Sequence, residues 1–525
     1  MKQNRRSFLK TMGLGLIALA HDGARSLAGE SDSAAASGSA GRRKPNVVFI
    51  FADDIGYGDF GCYGATKVQT PNVDRLASQG LRFSDAHSMA SVCTPSRYSL
   101  LTGEYAFRKK GTGIASGIEG LLIEPGRTTL PSLMKRAGYV TGVVGKWHLG
   151  LGTRPTNYNA KITPGPLEIG FDYAWIIPAT GDRVPCVWVE NHRVVGLDPA
   201  DPITLDYSVS RGSPGSFVNG IPRIGKQTGG KAALWKDDEI SSVIAAKSCA
   251  FIEQHRDRPF FLEVATHNIH VPRVPNPKFL GASQCGVRGD TIAEFDWIVG
   301  QVVDALRRLG LADSTLVIVT SDNGGILDNN GPDAEHGVGP PGANNGHLFN
   351  GVLRGTKGTV WEGGTRLPFI IRWPGHIKPG VSDALICQVD MLASFAALTG
   401  QSLASADGPD SLNVLPAMLG QHTDRPCREF LIEQNNSGSA LAIRKGTWKY
   451  IPRQGGSKAV RRKKPKPRDP SEAVADRDLP SVSGQLYNLA DDLSETKNVA
   501  ASHPEIVAEL AARLGEFKKN GRSRP

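Results

Sequence analysis

Four short apolar runs constrain this chain more than any other feature. They are Asn46-Val47-Val48-Phe49-Ile50-Phe51, Tyr139-Val140-Thr141-Gly142-Val143-Val144, Pro259-Phe260-Phe261-Leu262-Glu263-Val264 and Thr315-Leu316-Val317-Ile318-Val319. Runs of this kind, almost continuously apolar and rich in β-branched residues, are strands buried on both faces, as in a parallel sheet covered by helices. Ahead of the fourth run, Ile292, Phe295, Val299, Val302, Val303, Leu306 and Leu309 recur at helical spacing and read as core packing. Alternating strands and amphipathic helices predict an α/β fold around a central, mostly parallel sheet.

Each run ends in polar residues. Asp53-Asp54 follows the first, Gly145-Lys146-Trp147-His148 the second, Thr266-His267-Asn268-Ile269-His270 the third and Ser321-Asp322-Asn323-Gly324-Gly325 the fourth. Open α/β sheets bind ligands outside the carboxyl ends of their strands. One such cluster is an ordinary loop or helix cap, but four on one rim predict a polar site.

After about residue 415 the pattern changes. Ala440–Ile443, Thr447–Ile451 and Gln485–Leu489 read as short antiparallel strands, and Pro504–Lys518 reads as an amphipathic helix. These make a smaller C-terminal subdomain, 416–525, after a catalytic domain, 45–415. The basic run 458–468 reads as a solvated loop, with contact to a polyanion as the sharper alternative.

At the N-terminus, Asn4-Arg5-Arg6-Ser7-Phe8-Leu9-Lys10 precedes an apolar stretch, Met12 to Ala20, too short to span a bilayer, which needs about 20 residues. Residues 1–28 look like a twin-arginine signal peptide and 29–44 like a linker. The expected location is periplasmic or secreted, reached through the twin-arginine export machinery, with no membrane span. The formal net charge of +10 suits a polyanionic partner without choosing which. The seven cysteines form no CxxC pair, which argues against a zinc ribbon; a disulfide among the six other than Cys93 stays open.

Cys93-Thr94-Pro95-Ser96-Arg97 continues as Tyr98-Ser99-Leu100-Leu101-Thr102-Gly103. Pro near the start and Gly past the end predict a helix over 95–102, with Cys93 at its N-terminus. Free N–H groups and the helix dipole there favour an anion or a reactive sulfur. Asp53, Asp54, Asp322 and Asn323 are four oxygen donors, which suit a hard cation such as Ca²⁺ or Mg²⁺.

The pentapeptide, with Leu101-Thr102-Gly103 downstream, resembles the C-x-P-S-R signature of type I sulfatases, and the resemblance extends from about Asn46 through the C-terminal region. Lys146-Trp147-His148, the His267 loop and Gly355-Thr356-Lys357-Gly358 resemble further elements of that family. The resemblance implies the alkaline phosphatase-like fold with a four-stranded antiparallel sheet in the smaller subdomain. It also implies a sulfuric ester hydrolase acting on a sulfated polysaccharide or oligosaccharide, with no nucleic-acid partner. Cys93 is then oxidised to formylglycine by a maturation enzyme, and Asp53, Asp54, Cys93, Asp322 and Asn323 hold a metal ion, usually Ca²⁺.

By the same resemblance, Arg97 and Lys146 hold residue 93, His148 is a base, and His267 with Lys357 contacts sulfate and protonates the leaving oxygen. His270 is the weaker histidine candidate, flanking the site. The alternatives are a phosphodiesterase or phosphonate monoester hydrolase of the same superfamily, or a non-catalytic binder of sulfated glycans.

Overall fold

In the computed structural model, which describes residues 44–326, 344–453 and 484–525, the four apolar runs lie side by side in one sheet. The segment 1–28 expected to direct export, the expected linker up to residue 43 and the basic run 458–468 lie outside the described residues. The main strands are β1 (Asn46–Ala52), β2 (Leu81–His87), β3 (Val140–Lys146), β4 (Tyr173–Ile177), β5 (Phe260–Ala265), β6 (Thr315–Ser321) and β7 (Arg366–Arg372). Their spatial order is β2-β7-β6-β1-β5-β3-β4, and short strands extend both edges to eleven. β6, β1, β5, β3 and β4 run parallel, whereas β7 is antiparallel to both β6 and β2.

The register aligns the carboxyl ends. Phe51 faces Ala265 on one side and Thr320 on the other, and Ala265 faces Gly145. The polar cluster after each strand therefore starts at nearly the same level.

Helices cover both faces: α1 (Pro71–Ser78), α2 (Cys93–Thr102), α3 (Leu130–Arg136), α4 (Ile240–Gln254), α5 (Gly286–Arg308) and α6 (Met391–Leu398). Alternation along β1 divides the core. Val47, Phe49 and Phe51 join Leu100, Leu101, Met134 and Phe395 of α2, α3 and α6. Val48, Ile50 and Ala52 join Val73, Leu76, Ile244, Phe295 and Val299 of α1, α4 and α5. Fully burying side chains of this size contributes about 1.5–3 kcal/mol each, so this double-sided core is what holds the strand ends in place.

The C-terminal antiparallel sheet has four strands, β8 (Phe430–Gln434), β9 (Leu441–Lys445), β10 (Trp448–Ile451) and β11 (Gln485–Asn488), followed by α7 (Pro504–Lys519). β8 is the strand that the sequence pattern does not mark. Its end pairs with the chain that leads into α2: Gln434 N donates to Met89 O at 2.8 Å and Ser91 N donates to Gln434 O at 3.1 Å. Leu510 and Leu514 of α7 are buried in the larger core cluster.

Candidate active site

Cys93 is the first residue of α2, two residues earlier than the proline suggests, and extended Val92 precedes it without a side-chain cap. Gly103 ends the helix at φ 65°, its N–H donating to Ser99 O at 2.9 Å. All ten residues of α2 are buried, so its side chains face protein all round. Cys93 and Arg97, about one helical turn apart, both reach the rim formed by the strand ends.

Arg97 ties three of those ends together. Its Nε and Nη2 donate to Asp322 Oδ2 at 3.0 and 2.8 Å, and its Nη1 donates to Lys146 O at 3.2 Å. Its guanidinium also lies 4.8 Å from the centre of the Phe51 ring. Lys146 Nζ sits 2.5 Å from Asp53 Oδ2 and 4.0 Å from Asp322 Oδ2. Lys357 Nζ bonds Asp54 Oδ2 at 2.7 Å, and Asn323 Nδ2 donates to Asp54 Oδ1 at 2.8 Å. The predicted acids, amide, lysines and arginine thus converge on one buried centre.

Two buried oxygens there have no hydrogen-bond partner, Asp53 Oδ1 and Asn323 Oδ1. Unpaired buried acceptors are costly, and a cation satisfies them. One ligand atom each from Asp53, Cys93 and Asp322 fall within 4.8 Å of one another, and so do those of Asp53, His267 and His270. Burial pushes the Asp53 carboxyl up to about 8, against the pull of Lys146. Burial acts the same way on Asp54, but Lys357 and Lys146 outweigh it and hold that carboxyl below the usual range. Burial also raises the Cys93 thiol despite the nearby Lys146 and Lys357.

The three histidines are neutral. Burial and then Lys146 lower His267 to about 4 and His148 well below its usual value; burial, Lys357 and Lys146 do the same to His270. His148 Nε2 lies 3.0 Å from Ala115 O, a pure acceptor, so the neutral ring carries its proton there. Its Nδ1, buried without a partner, is free to accept one. His267 Nδ1 is 4.0 Å from Asp53 Oδ2, and His270 Nε2 is 3.9 Å from Asp54 Oδ2. His270 thus faces the acids as closely as His267 does, nearer the centre than a flanking position. Asp54 and His148 hold φ at 63° and 57°, uncommon for residues other than glycine, and both belong to this rim.

The loop after β4 also reaches the site, although it is not among the segments expected from sequence. His148 N donates to Pro178 O at 3.1 Å, and Asp182 and Arg183 pair at 2.6 Å within electrostatic reach of His270 and Cys93 respectively. Its signal is the same as at the other ends: apolar Trp175-Ile176-Ile177, then Thr180-Gly181-Asp182-Arg183. The roughly 860 Å³ groove lined by Arg425, Lys445, Trp448 and Glu509 contains none of the residues named here as site residues. All seven cysteines are free thiols.

The chain matches the Sulfatase family model over residues 45–401. It is 45% identical to an N-acetylgalactosamine-6-O-sulfatase of Bacteroides thetaiotaomicron, covering 91% of this chain and 93% of that one. It is 34% identical to human arylsulfatase A over 91% of this chain and 88% of that one. Among solved structures it resembles a protein of a Bacteroides thetaiotaomicron locus for glycosaminoglycan metabolism, with a TM-score of 0.82 and 44% identity, covering 91% of this chain and all of that one. The fold also matches the PsFucS1 sulfatase of Pseudoalteromonas sp., with a TM-score of 0.68 at 24% identity and 92% of each chain covered. With a helix opening at Cys93 set among the acids and bases of four strand ends, this chain belongs to the sulfatase family and is an enzyme that hydrolyses sulfate esters.

Proposed function

We propose that this sulfatase removes the 6-O-sulfate of N-acetylgalactosamine in a glycosaminoglycan, using a formylglycine made from Cys93 and one bound Ca²⁺. The substrate rests on the 45% identical relative of that name, which aligns along almost its whole length. The chemistry rests on one observation: Cys93 opens a buried helix with its Sγ within 4.8 Å of a carboxylate oxygen of Asp53 and of Asp322.

Three carboxylates, Asp53, Asp54 and Asp322, meet three basic side chains, Arg97, Lys146 and Lys357, so the centre is close to neutral. Asp53, Asp54, Asp322 and Asn323 would hold a hard cation, whose charge draws sulfate oxygens. Oxidised by a maturation enzyme, residue 93 supplies hydroxyls of a hydrated aldehyde as nucleophile. Arg97 and Lys146 fix residue 93 and offset negative charge beside it. His148, unprotonated at Nδ1, accepts a proton next to it. Lys357 shares Asp54 Oδ2 with His270 rather than facing His267, the histidine first expected to work with it; an incoming sulfate places negative charge near His270 and raises its proton affinity, so that His270, beside Lys357, protonates the departing oxygen.

Export through the twin-arginine route to the periplasm or beyond belongs to the same proposal, on the strength of Arg5-Arg6 and the apolar stretch after it. The test is peptide mass spectrometry across Cys93, a metal assay on the same sample, and sulfate release from 6-O- and 4-O-sulfated N-acetylgalactosamine. A peptide carrying aldehyde in place of thiol, one Ca²⁺ per chain and release from the 6-O-sulfate alone is the expected result. An unmodified cysteine in a fully active enzyme overturns the nucleophile, and preference for the 4-O-sulfate overturns the substrate.

A further inference from the structure

We propose that Asp182 and Arg183 are specificity residues that grip the C4 hydroxyl of a galacto-configured sugar 6-O-sulfate, an inference that rests on the substrate class given above. Both lie in the loop after β4, which is built into the wall of the site. Its start is tied to the end of β3: Trp147 N donates to Ile177 O and His148 N donates to Pro178 O, both at 3.1 Å. Its middle rests on a histidine of the site, since a Cβ at residue 181 would lie 2.5 Å from His267 Nε2. Its far side is braced by residues 223 and 224: Arg223 Nη1 donates to Gly181 O, and Ile224 N donates to Asp182 O at 2.7 Å. The loop is therefore fixed between His148 and His267.

Two side chains of this fixed loop keep unused hydrogen-bonding capacity. Arg183 Nη1 donates to Thr180 Oγ1 and to Asp182 Oδ1, both at 2.6 Å. Its Nε and Nη2 bond no protein group among the described residues. By contrast, the buried Arg288 and Arg428 each spend all three nitrogens on protein acceptors. Asp182 Oδ1 takes bonds from Arg183 and Thr180, whereas Oδ2 takes none among the described residues and has Arg211 Nη1 3.9 Å away. The Asp182 and Arg183 side chains are only 7% and 15% exposed. Donors and acceptors so little solvated are costly to leave unmade, and a bound ligand satisfies them.

The pair also faces the reacting centre. Arg183 is in electrostatic reach of Cys93 and His148, and Asp182 of His270. Burial opposes ionisation of Asp182, but Arg183 outweighs it and holds the carboxyl below its usual range. An anion brought to Arg183 would therefore meet a carboxylate. A donor beside an acceptor suits a neutral hydroxyl instead, which donates and accepts at once. In a hexose 6-O-sulfate, the ring hydroxyl fewest bonds from O6 is the one on C4. It is axial in galacto sugars and equatorial in gluco sugars, so a pair held in one place meets one epimer and misses the other.

The experiment uses the mature, full-length, metal-loaded enzyme and four substrates: N-acetylgalactosamine 6-O-sulfate, its 4-deoxy analogue, N-acetylglucosamine 6-O-sulfate and 4-nitrophenyl sulfate. The wild type should favour the galacto over the gluco sugar. Arg183→Gln is expected to lower kcat/KM on the galacto sugar by about 10–10²-fold more than on the aryl sulfate, the range for a lost charge-assisted bond. The preference for the galacto sugar should shrink by a similar factor. On the 4-deoxy analogue, which is slow with the wild type, Arg183→Gln should add less than about threefold beyond its effect on the aryl sulfate, because hydroxyl and guanidinium act as one contact. Asp182→Asn, which keeps the acceptor used by Arg183 and turns the other oxygen into a donor, should show the same selectivity.

Equal losses on sugar and aryl sulfates, an unchanged galacto-to-gluco ratio, or losses that multiply on the 4-deoxy analogue would overturn the proposal. If Arg183→Gln does not fold, Asp182→Asn carries the same comparison. A wild type that prefers a 4-O-sulfate overturns the substrate, and the C4 assignment with it. A wild type that releases the 6-O-sulfate while both variants stay unselective overturns the C4 assignment alone.

Discussion

Cys93 is the residue on which the proposed chemistry turns. Its neighbours Thr94, Pro95 and Ser96 are buried and the helix continues to Thr102 without it, so Cys93→Ala should abolish turnover. Thermal unfolding should shift by no more than a few degrees, and retained activity would remove residue 93 from the chemistry. His270→Ala should cost about 10²–10⁴-fold on alkyl sulfates and far less on aryl sulfates, the range for a lost proton donor. If the proposed ion is held by Asp53 Oδ1 and Asn323 Oδ1, a chelator would leave both oxygens unpartnered. A ligand at 100 times its Kd stabilises by about 2.7 kcal/mol, so chelation should lower Tm measurably and added Ca²⁺ should restore it.

The elements that deliver these residues depend on close approach. On β3, Gly142 lets α4 lie directly on the sheet: a Cβ there would sit 2.5 Å from Phe251 Cε2. Gly142→Ala forces that ring or the helix outward and should cost about 1–3 kcal/mol, read from the urea midpoint at unchanged m-value. Because β3 carries Lys146 and His148 at its end, activity should fall with the same substitution. A loss of stability without any change in kcat would show that the strand end is fixed by its loop contacts rather than by helix packing. α2 behaves differently from the other helices, since burial on every side removes the amphipathic stripe that marks α5.

Over the whole molecule, a buried ion network joins the two sheets. Lys449 Nζ on β10 lies 2.8 Å from Glu362, 3.0 Å from Glu433 and 3.4 Å from Glu495. Asp85 and His87 of β2 meet Arg366 of β7 and Arg444 of β9 in the same cluster. Lys449→Met strands three buried carboxylates and should cost about 3–5 kcal/mol, measured by chemical denaturation.

The network also sets a pH window. Burial works against ionisation of Asp85, Glu362 and Glu433, but hydrogen bonds and the charges of His87, Arg444 and Lys449 outweigh it and hold all three below their ordinary values of 3.8 and 4.5. Their stabilisation is present above those values and lost as pH falls through the depressed folded ones. Burial opposes protonation of His87, yet Glu362, Asp85 and Glu433 raise it above 6.5, and its stabilisation is lost as pH rises through that raised value. Glu495, raised to about 7 by burial, loses stabilisation in the same direction as His87, over the range from 4.5 to about 7. The contribution of this network to unfolding free energy should therefore peak at about pH 5, and a flat profile from pH 4 to 8 would show that the network is silent.

Much of this was legible in one dimension because burial on both faces leaves no room for polar residues within a strand. The apolar runs that become β1, β3, β5 and β6 break where the sheet ends, so the breaks list the rim residues Asp53, Lys146, His267 and Asp322. Pro95 and Gly103 bracket α2, and the C-x-P-S-R pattern carried the family. The strand β8 escaped in part because what fixes its end, the bonds of Gln434 to Met89 and Ser91, spans more than 300 residues and only the folded chain brings them together. The loop with Gly181, Asp182 and Arg183 escaped for a related reason: its role depends on which side chains lie opposite, and spacing along the chain does not encode distance across a cleft. By itself, the sequence determined that an α/β sheet would gather acids, lysines and histidines at one rim. Only tertiary packing decided that His270 faces the acids as closely as His267, that Arg97 binds three strand ends, and that a glycine fits against a histidine ring, because each depends on contacts between residues remote in the chain.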